Sequence, residues 1–203
     1  MSYAALGAPE ALAVGQPYQA LIAQIRQEFP DFKIVQKRDS KLMLAIDKIV
    51  RVVTLGQNDR FLSHYATTIG DTVYVGDHWA ELSDVEKAIL LRHERVHMRQ
   101  RRELGAPVFF FVWLVPIFPV GLAYGRARLE WAGYKETLRA TFELRGAAAA
   151  ESPTLRKHIV GQFTGPAYGW MWPFESEVQA WYDAALAELR AEKPALQPGL
   201  VLG

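Results

Sequence analysis

One polar helix near the middle of the chain carries two histidines on the same face, and it constrains the fold more than any other feature. The stretch LSDVEKAILLRHERVHMRQRREL predicts a helix that begins at a capping box formed by Ser83 and Glu86 and ends at Gly105. His93 and His97 are four residues apart on this helix, so their Cβ atoms lie about 5–6 Å apart on one face. The rest of the chain must therefore fold in a way that gives the two histidines on this helix face a role.

The histidine pair predicts a metal site. Two imidazoles at this spacing can bind one ion at Zn–N distances of about 2.0–2.1 Å. The chain contains no cysteine, so the ligands must be nitrogen and oxygen atoms. We therefore expect one zinc ion per chain, bound by His93 and His97. Glu94 points to the side of the pair, where its carboxylate can take a proton from a water on the ion, so we predict that Glu94 is the catalytic base.

A catalytic zinc usually has three protein ligands and one open position. The extended pattern H-E-x-x-H-x-x-G-x-x-H does not apply, because Gln100 and Glu103 stand where it needs glycine and histidine. The later stretch RARLEWAGYKETL places Glu130 on a largely apolar helix face, and we favour it as the third metal ligand. Its alternative role is an ion pair with Arg126 or Arg128. The rival ligands are Glu136, Glu143 and His158.

The remaining patterns predict an α+β fold that is mainly helical. Helical spacing is found in PYQALIAQIRQEFP, in SKLMLAIDKIVRVVTLG up to Gly56, over about 122–149, and in ESEVQAWYDAALAELRAEK. FKIVQK reads as a strand, and RFLSHYATTIG and TVYVG as a hairpin with Gly70-Asp71 at its turn. We expect a small antiparallel sheet or hairpin beside the histidine helix, and a loop at ESPTLRK. The simplest organisation is a single domain over 1–203, with a loose leader at 1–16 and a tail at 194–203.

Residues 106–125, APVFFFVWLVPIFPVGLAYG, contain no charged side chain. About 20 apolar residues suffice to span a bilayer, but Pro116 and Pro119 would break a straight helix. The histidines precede this stretch and Glu130 follows it. If the three residues bind one ion, the stretch must begin and end on the same side of any membrane. We predict a buried hydrophobic hairpin, with a hairpin that dips into a membrane and a true span as alternatives.

The charge balance limits the partners. The chain has 23 Lys and Arg against 22 Asp and Glu, which argues against a nucleic-acid-binding protein. The arginines of the histidine helix are interpreted as a solvated rear face, with a nucleic-acid patch as the weaker alternative; they are at 92, 95, 99, 101 and 102. The N-terminus has no basic start followed by a continuous apolar run, so we expect a cytoplasmic protein that is membrane-associated only if 106–125 contacts lipid.

The stretch TTIGDTVYVGDHW…LSDVEKAILLRHERVHMRQ resembles the minimal catalytic core of the zincin metallopeptidases, and LEWAGY is similar to the second-helix glutamate motif of their gluzincin branch. The resemblance covers about 60–147. It implies His93, His97 and Glu130 as zinc ligands and Glu94 as base. It also implies that the strand around Thr72–Val75 is an edge strand that pairs with an extended peptide or protein substrate. Gluzincins often have an acidic residue four positions after the ligand glutamate, where this chain has Tyr134.

The aromatic cluster GPAYGWMWPF at 165–174 reads first as core, because tryptophan and phenylalanine bury large areas. Its functional alternative is a substrate pocket in which Tyr168 or His158 donates a hydrogen bond to the developing oxyanion. The leading function is therefore a zinc-dependent metallopeptidase. The alternative is a non-catalytic metal-binding assembly protein, and a third class is a membrane-associated factor.

Overall fold

The computed structural model describes residues 17–53, 61–63, 65–114, 123–165 and 171–196. These residues form a mainly helical α+β fold with a small sheet, which confirms the predicted fold class. The helices are α1 (Pro17–Glu28), α2 (Lys41–Val53), α3 (Asp84–Leu104), α4 (Ala106–Leu114), α5 (Tyr124–Arg145), α6 (Ala147–Ala150), α7 (Pro153–Thr164) and α8 (Glu175–Leu196). The strands are β1 (Lys33–Gln36), β2 (Thr67–Ile69) and β3 (Thr72–Val75).

The sheet is mixed, with strand order β1-β3-β2. The predicted hairpin is confirmed: β2 and β3 pair antiparallel, and Gly70 adopts a φ of 65° in the turn between them. β1 pairs parallel with β3, because the long connection through α2 lets the chain return in the same direction. The prediction that Thr72–Val75 is an edge strand is therefore wrong. β3 is central, and the strand at the hairpin's outer edge is β2.

The histidine helix has the predicted boundaries because both of its ends are capped. The Ser83 side chain accepts a hydrogen bond from the Glu86 backbone, and the Glu86 carboxylate accepts one from the Ser83 backbone at 2.8 Å. This satisfies two amides that have no partner within the helix. Gly105 ends α3 with a φ of 76°, a conformation that favours glycine.

The described C-terminal half has two helices, α6 and α7, that the sequence analysis did not predict. Gly146, at a φ of 86°, ends α5 three residues before the expected boundary, and the short α6 follows. The loop predicted at ESPTLRK is wrong for most of its length, because Ser152 caps α7 by accepting from the Leu155 backbone at 3.2 Å. Pro153 is accommodated in the first turn, where its missing N–H costs nothing. α8 continues through Pro194 to Leu196.

Two hydrophobic clusters flank the contact between α3 and α5. The first joins α1, the sheet and α3, through residues such as Ile25, Val73 and Leu91. The second joins α5 to α7 and α8, through residues such as Leu138 and Tyr182. α3 and α5 make the most extensive contact between elements of the described chain. The interface between these two helices therefore holds the two halves of the core together.

The uncharged stretch is described only in part. α4 covers its first nine residues and lies against both α3 and α5, while 115–122 lie outside the described residues. No helix in the described part of the chain is long and apolar enough to cross a membrane. The leader at 1–16, Gly56 and the last residues of the predicted tail, 197–203, also lie outside the described ranges.

Candidate metal centre

Three side chains converge between α3 and α5. The Nε2 atoms of His93 and His97 are 3.0 Å apart. Glu130 places Oε2 at 3.9 Å from His93 Nε2 and at 3.7 Å from His97 Nε2. The candidate ligand atoms all lie within 4.8 Å of one another. The interface is close-packed, and Glu130 is only 3 % exposed, so the group forms a buried site rather than a chance surface cluster.

Gly133 makes this close approach possible. A Cβ atom at this position of α5 would lie 2.7 Å from Cε1 and Nε2 of His93, which is well inside van der Waals contact. The absence of a side chain therefore lets the imidazole lie directly against the α5 backbone, one turn from Glu130. Tyr134 completes the wall, with its ring centroid 4.8 Å from that of His93 in an edge-on arrangement.

A hydrogen-bond relay fixes the tautomer of His97. The carbonyl of Leu129 can only accept, so the Gln100 amide nitrogen donates to it at 3.0 Å. This orients the Gln100 amide oxygen towards His97 Nδ1, also at 3.0 Å. An amide oxygen only accepts, so Nδ1 of His97 carries the proton. In the neutral imidazole, Nε2 of His97 therefore presents a lone pair to the site.

A second relay does the same for His93. The Thr137 hydroxyl donates its single proton to the Gly133 carbonyl at 3.2 Å. Its oxygen lies 3.1 Å from Nδ1 of His93 and accepts a hydrogen bond from it. Nε2 of His93 therefore also presents a lone pair, and such outer partners are what orient histidine ligands in metal sites.

Because of these two hydrogen-bond relays, the side chains of His93, His97 and Glu130 are suited to bind a cation. Two lone pairs 3.0 Å apart repel each other unless a positive charge lies between them, and the Glu130 carboxylate adds a negative group on the same side. Ligands of one tetrahedral ion are separated by about 3.3 Å when each bond is about 2.0–2.1 Å long. The observed separations of 3.0, 3.7 and 3.9 Å bracket this value. His93, His97 and Glu130 could thus hold one metal ion.

Burial sets the protonation of the first histidine. Burial lowers the pKa of His93 well below its usual range, and the neighbouring His97 lowers it further, while the hydrogen bond to the Gly133 backbone opposes the shift. His93 is therefore neutral at physiological pH, which is the state that binds a metal ion.

Glu94 lies beside the triad and is buried. The Thr68 hydroxyl of β2 donates a hydrogen bond to Glu94 Oε2 at 2.6 Å. Burial raises the pKa of the Glu94 carboxyl, and Glu130 adds to the rise, whereas His97, Thr68 and Lys37 act against it. The hydrogen bond joins the sheet to the side chain that the sequence predicted to be the catalytic base.

The rival ligands are elsewhere. Glu136 and Glu143 both form ion pairs with Arg92, which lies between α3 and α5. His158 lies on α7 with an exposed side chain, in a shallow groove made by the same helix. Tyr168 lies outside the described residues. Of the four ligand candidates on later helices, the structure brings only Glu130 to the histidine pair.

Five supporting residues were missed by the sequence analysis. Gln100, Gly133 and Thr137 line the ligands from the same two helices. Gln100 and Gly133 are each three residues from a ligand, and Thr137 is seven residues, two helical turns, after Glu130. Helical spacing could have suggested them. Thr68 and Lys37 approach Glu94 from the sheet side. Both residues are far from Glu94 in the sequence, so no local sequence pattern indicates that they lie near it.

Comparisons with protein-family models, with curated proteins and with solved structures found no match. The fold and the site therefore define the class of the protein on their own. It is a mainly helical α+β protein with a buried group of two histidines and one glutamate that could hold a metal ion.

Proposed function

We propose that the protein is a zinc-dependent peptidase. The observation that carries the proposal is the combination of three convergent ligands with a buried fourth side chain, Glu94, that is not one of them. A site that only binds a metal for assembly has no need of an oriented carboxylate beside its ligands. A hydrolase needs such a group to accept a proton.

The ligand set supports zinc as the ion. Two imidazoles and one carboxylate form one of the ligand sets of catalytic zinc sites, which leave a fourth position open for water or substrate. Zinc at such a site supplies a Lewis acid that polarises the scissile carbonyl and activates water at neutral pH. His93, His97 and Glu130 would hold the ion, and their buried surroundings would limit competing water.

Glu94 provides the proton transfer. Thr68 holds one carboxylate oxygen of Glu94 at 2.6 Å, which restricts the rotation of the side chain. The carboxylate takes the proton of the attacking water and later delivers it to the leaving amine. Neither step requires Glu94 to move between two positions.

We infer that the substrate backbone binds along the outer edge of β2. In the part of the chain that the structure describes, β2 pairs with β3 on one side only, and its residue Thr68 contacts the base. An extended peptide that adds to this edge would make main-chain hydrogen bonds and pass next to Glu94. This transfers the substrate-pairing role from β3, which the sequence analysis had favoured, to β2.

Metal analysis is the first test. Purified protein is loaded with zinc, dialysed, and measured by plasma emission, with His93→Ala as the comparison. We expect one zinc per chain for the natural sequence and a large loss for the variant. Protein that retains no metal after zinc loading would contradict the proposal at its first step.

Replacement of the base is the second test. Glu94→Gln keeps the size of the side chain and both histidines, so zinc content should not change. Peptide cleavage, first identified with peptide libraries and denatured proteins, should fall by about 10² to 10⁴. Glu103→Gln is the matched control, because Glu103 lies on the same helix with an exposed side chain. Equal cleavage by the Glu94→Gln variant and the natural protein would rule out this mechanism.

A further inference from the structure

Helix α4 is apolar on every side and is nevertheless partly exposed. Its sequence APVFFFVWL contains no charged side chain. Phe109 faces the core, whereas Val108 is 50 % exposed and Phe111 is 64 % exposed. A helix that is hydrophobic all round is normally buried in protein or in lipid. α4 therefore has one face that still needs an apolar environment.

This face continues onto two neighbouring segments. A Cβ at Gly125 would lie 2.8 Å from Val112, so α4 packs tightly on the start of α5. Tyr124, the first residue of α5, is exposed, and its ring lies 5.1 Å from that of Trp172. The Trp172 ring lies 5.0 Å from that of the exposed Phe174. We call the surface formed by Val108, Phe111, Tyr124, Trp172 and Phe174 the α4 surface.

The sequence around the α4 surface carries a charge pattern that suits lipid. No charged residue occurs from 104 to 125. The charged residues next to this run are Arg102 and the exposed Glu103 before it, and Arg126 and Arg128 after it. Arg102 donates to the Glu28 carbonyl oxygen and lies over the Phe29 ring. Arg128 lies over the Trp181 ring, one turn after Tyr124. Neither forms an ion pair with a carboxylate within the described ranges, so both guanidinium groups can donate hydrogen bonds to lipid phosphates.

We propose that the α4 surface inserts into the interfacial layer of a lipid bilayer. Tyrosine and tryptophan favour the headgroup level, aliphatic and phenylalanine side chains favour the layer below, and arginines reach back to phosphates. A protein–protein interface would have a polar rim around its apolar centre. α4 itself contributes no polar side chain, and the α4 surface borders on Glu177, whose carboxylate accepts a hydrogen bond from Trp172 at 2.8 Å. The insertion is shallow, as in helices that lie in the membrane plane.

Insertion would place the metal centre close to the membrane surface. Glu130 follows Tyr124 by six residues on the same helix, which is about 9 Å along the axis. The site would therefore lie near the level of the lipid headgroups. This placement follows from helix geometry and holds whether or not the site is catalytic.

Vesicle binding by the full chain tests the proposal. Protein is sedimented with phosphatidylcholine vesicles with and without phosphatidylglycerol, and the bound fraction is titrated against lipid. We expect binding to both, stronger with the anionic lipid. Val108→Ser combined with Phe111→Ser removes exposed apolar area and should weaken binding about tenfold or more. Far-UV circular dichroism should be unchanged, because both side chains are exposed.

The matched control uses another helix. Ile49→Ser combined with Val52→Ser removes two α2 side chains that are 62 % and 74 % exposed, and binding should not change. If the variant with Val108→Ser and Phe111→Ser folds poorly, a second variant, Arg102→Gln with Arg128→Gln, provides an independent test. This variant should lower affinity for anionic vesicles about tenfold and leave phosphatidylcholine binding unchanged.

Three results would overturn the proposal. The first is natural protein that does not sediment with either vesicle. The second is an equal loss of binding in the α2 control pair. The third is a natural protein that does not bind vesicles and is a dimer in analytical ultracentrifugation, whereas the variant with Val108→Ser and Phe111→Ser is a monomer. This result would assign the α4 surface to contact with a second copy of the chain.

Discussion

The His93 ring fills the space where a side chain of Gly133 would lie, so Gly133 is the residue where a single added methyl group should matter most. Gly133→Ala would place a Cβ 2.7 Å from Nε2 of His93 and push the ring away from its partners. We expect zinc affinity to fall about 10- to 100-fold, as for other changes beside a metal ligand, measured by competition with a chromophoric chelator. Gly161→Ala is the control, because no atom lies within 4 Å of its Cβ position. Unchanged affinity in Gly133→Ala would mean that the ring position does not limit binding.

Lys37 is a buried cation on the sheet side of Glu94. Its Nζ donates to the Phe61 carbonyl at 2.8 Å and lies over the Phe61 ring. Burial lowers the pKa of Lys37 from 10.5 to about 7, although Glu94 and Asp47 act to raise it. Between these two values the unfolded chain holds a proton that the folded chain has lost. The free energy of unfolding therefore rises with pH across this window.

Lys37→Met should remove that pH dependence. Between about pH 7 and 9.5 the natural protein should gain about 2–4 kcal/mol of stability from this residue, and the variant should not. Urea unfolding at the two pH values measures the difference. Lys48→Met, at an exposed position of α2, should retain the slope of the natural protein. Parallel curves for the natural protein and Lys37→Met would show that Lys37 stays charged when folded.

At the residue scale, the sequence predicted what a single helix encodes. His93 and His97 follow from helical spacing, and Glu130 from the apolar face on which it lies. Thr68 and Lys37 could not be predicted, because their approach to Glu94 depends on how the sheet packs against α3. Glu136 and Glu143 were plausible ligands until the position of Arg92 was known.

The α3–α5 pair is the element that carries the site, and Arg92 joins its two helices. The Arg92 side chain is largely buried and pairs with Glu136 and Glu143. Arg92→Leu would leave two carboxylates without their partner, so we expect a loss of about 3 kcal/mol in unfolding free energy, measured in urea. Adding Glu136→Gln and Glu143→Gln should recover part of it.

An exposed pair provides the comparison for this prediction. Arg38 and Asp77 form an ion pair at the surface, so Arg38→Leu should cost less than about 1 kcal/mol. If the Arg38 and Arg92 variants lose equal stability, the burial of the Arg92 ion pairs contributes nothing.

Element boundaries were predicted well where a side chain caps the helix. The capping box at Ser83 is a local pattern, and α3 begins where it indicates. Ser152 is also a cap, with Pro153 in the first turn of α7, but the sequence analysis predicted a loop at ESPTLRK and missed this helix start. The parallel direction of β1 was not predictable from its own residues, because pairing depends on the path of the connection.

At the scale of the whole molecule, the candidate metal centre lies between the two hydrophobic clusters. α3 belongs to one cluster and supplies both histidines, whereas α5 belongs to the other and supplies Glu130. A bound ion would therefore link the two halves of the core. Zinc at about 100 times its dissociation constant should add about 2.7 kcal/mol to the free energy of unfolding.

This stabilisation should appear as a rise in melting temperature of about 5–10 °C, which a chelator reverses. Differential scanning calorimetry measures it directly. His93→Ala serves as the control, and zinc should not shift its transition. A natural protein whose melting temperature is the same with zinc and with chelator would show that the ion does not bind the folded state preferentially.

The three ligands differ in when they become available to an ion. His93 and His97 are brought together as soon as one helix forms, a local event that takes microseconds or less. Glu130 joins them only after two helices, separated in the sequence by the uncharged stretch, have docked. An ion captured early by the two imidazoles would hold α3 in helical form while the chain searches for α5. The order of the ligands along the chain would thus let an ion act on the folding of α3 before the complete site has formed.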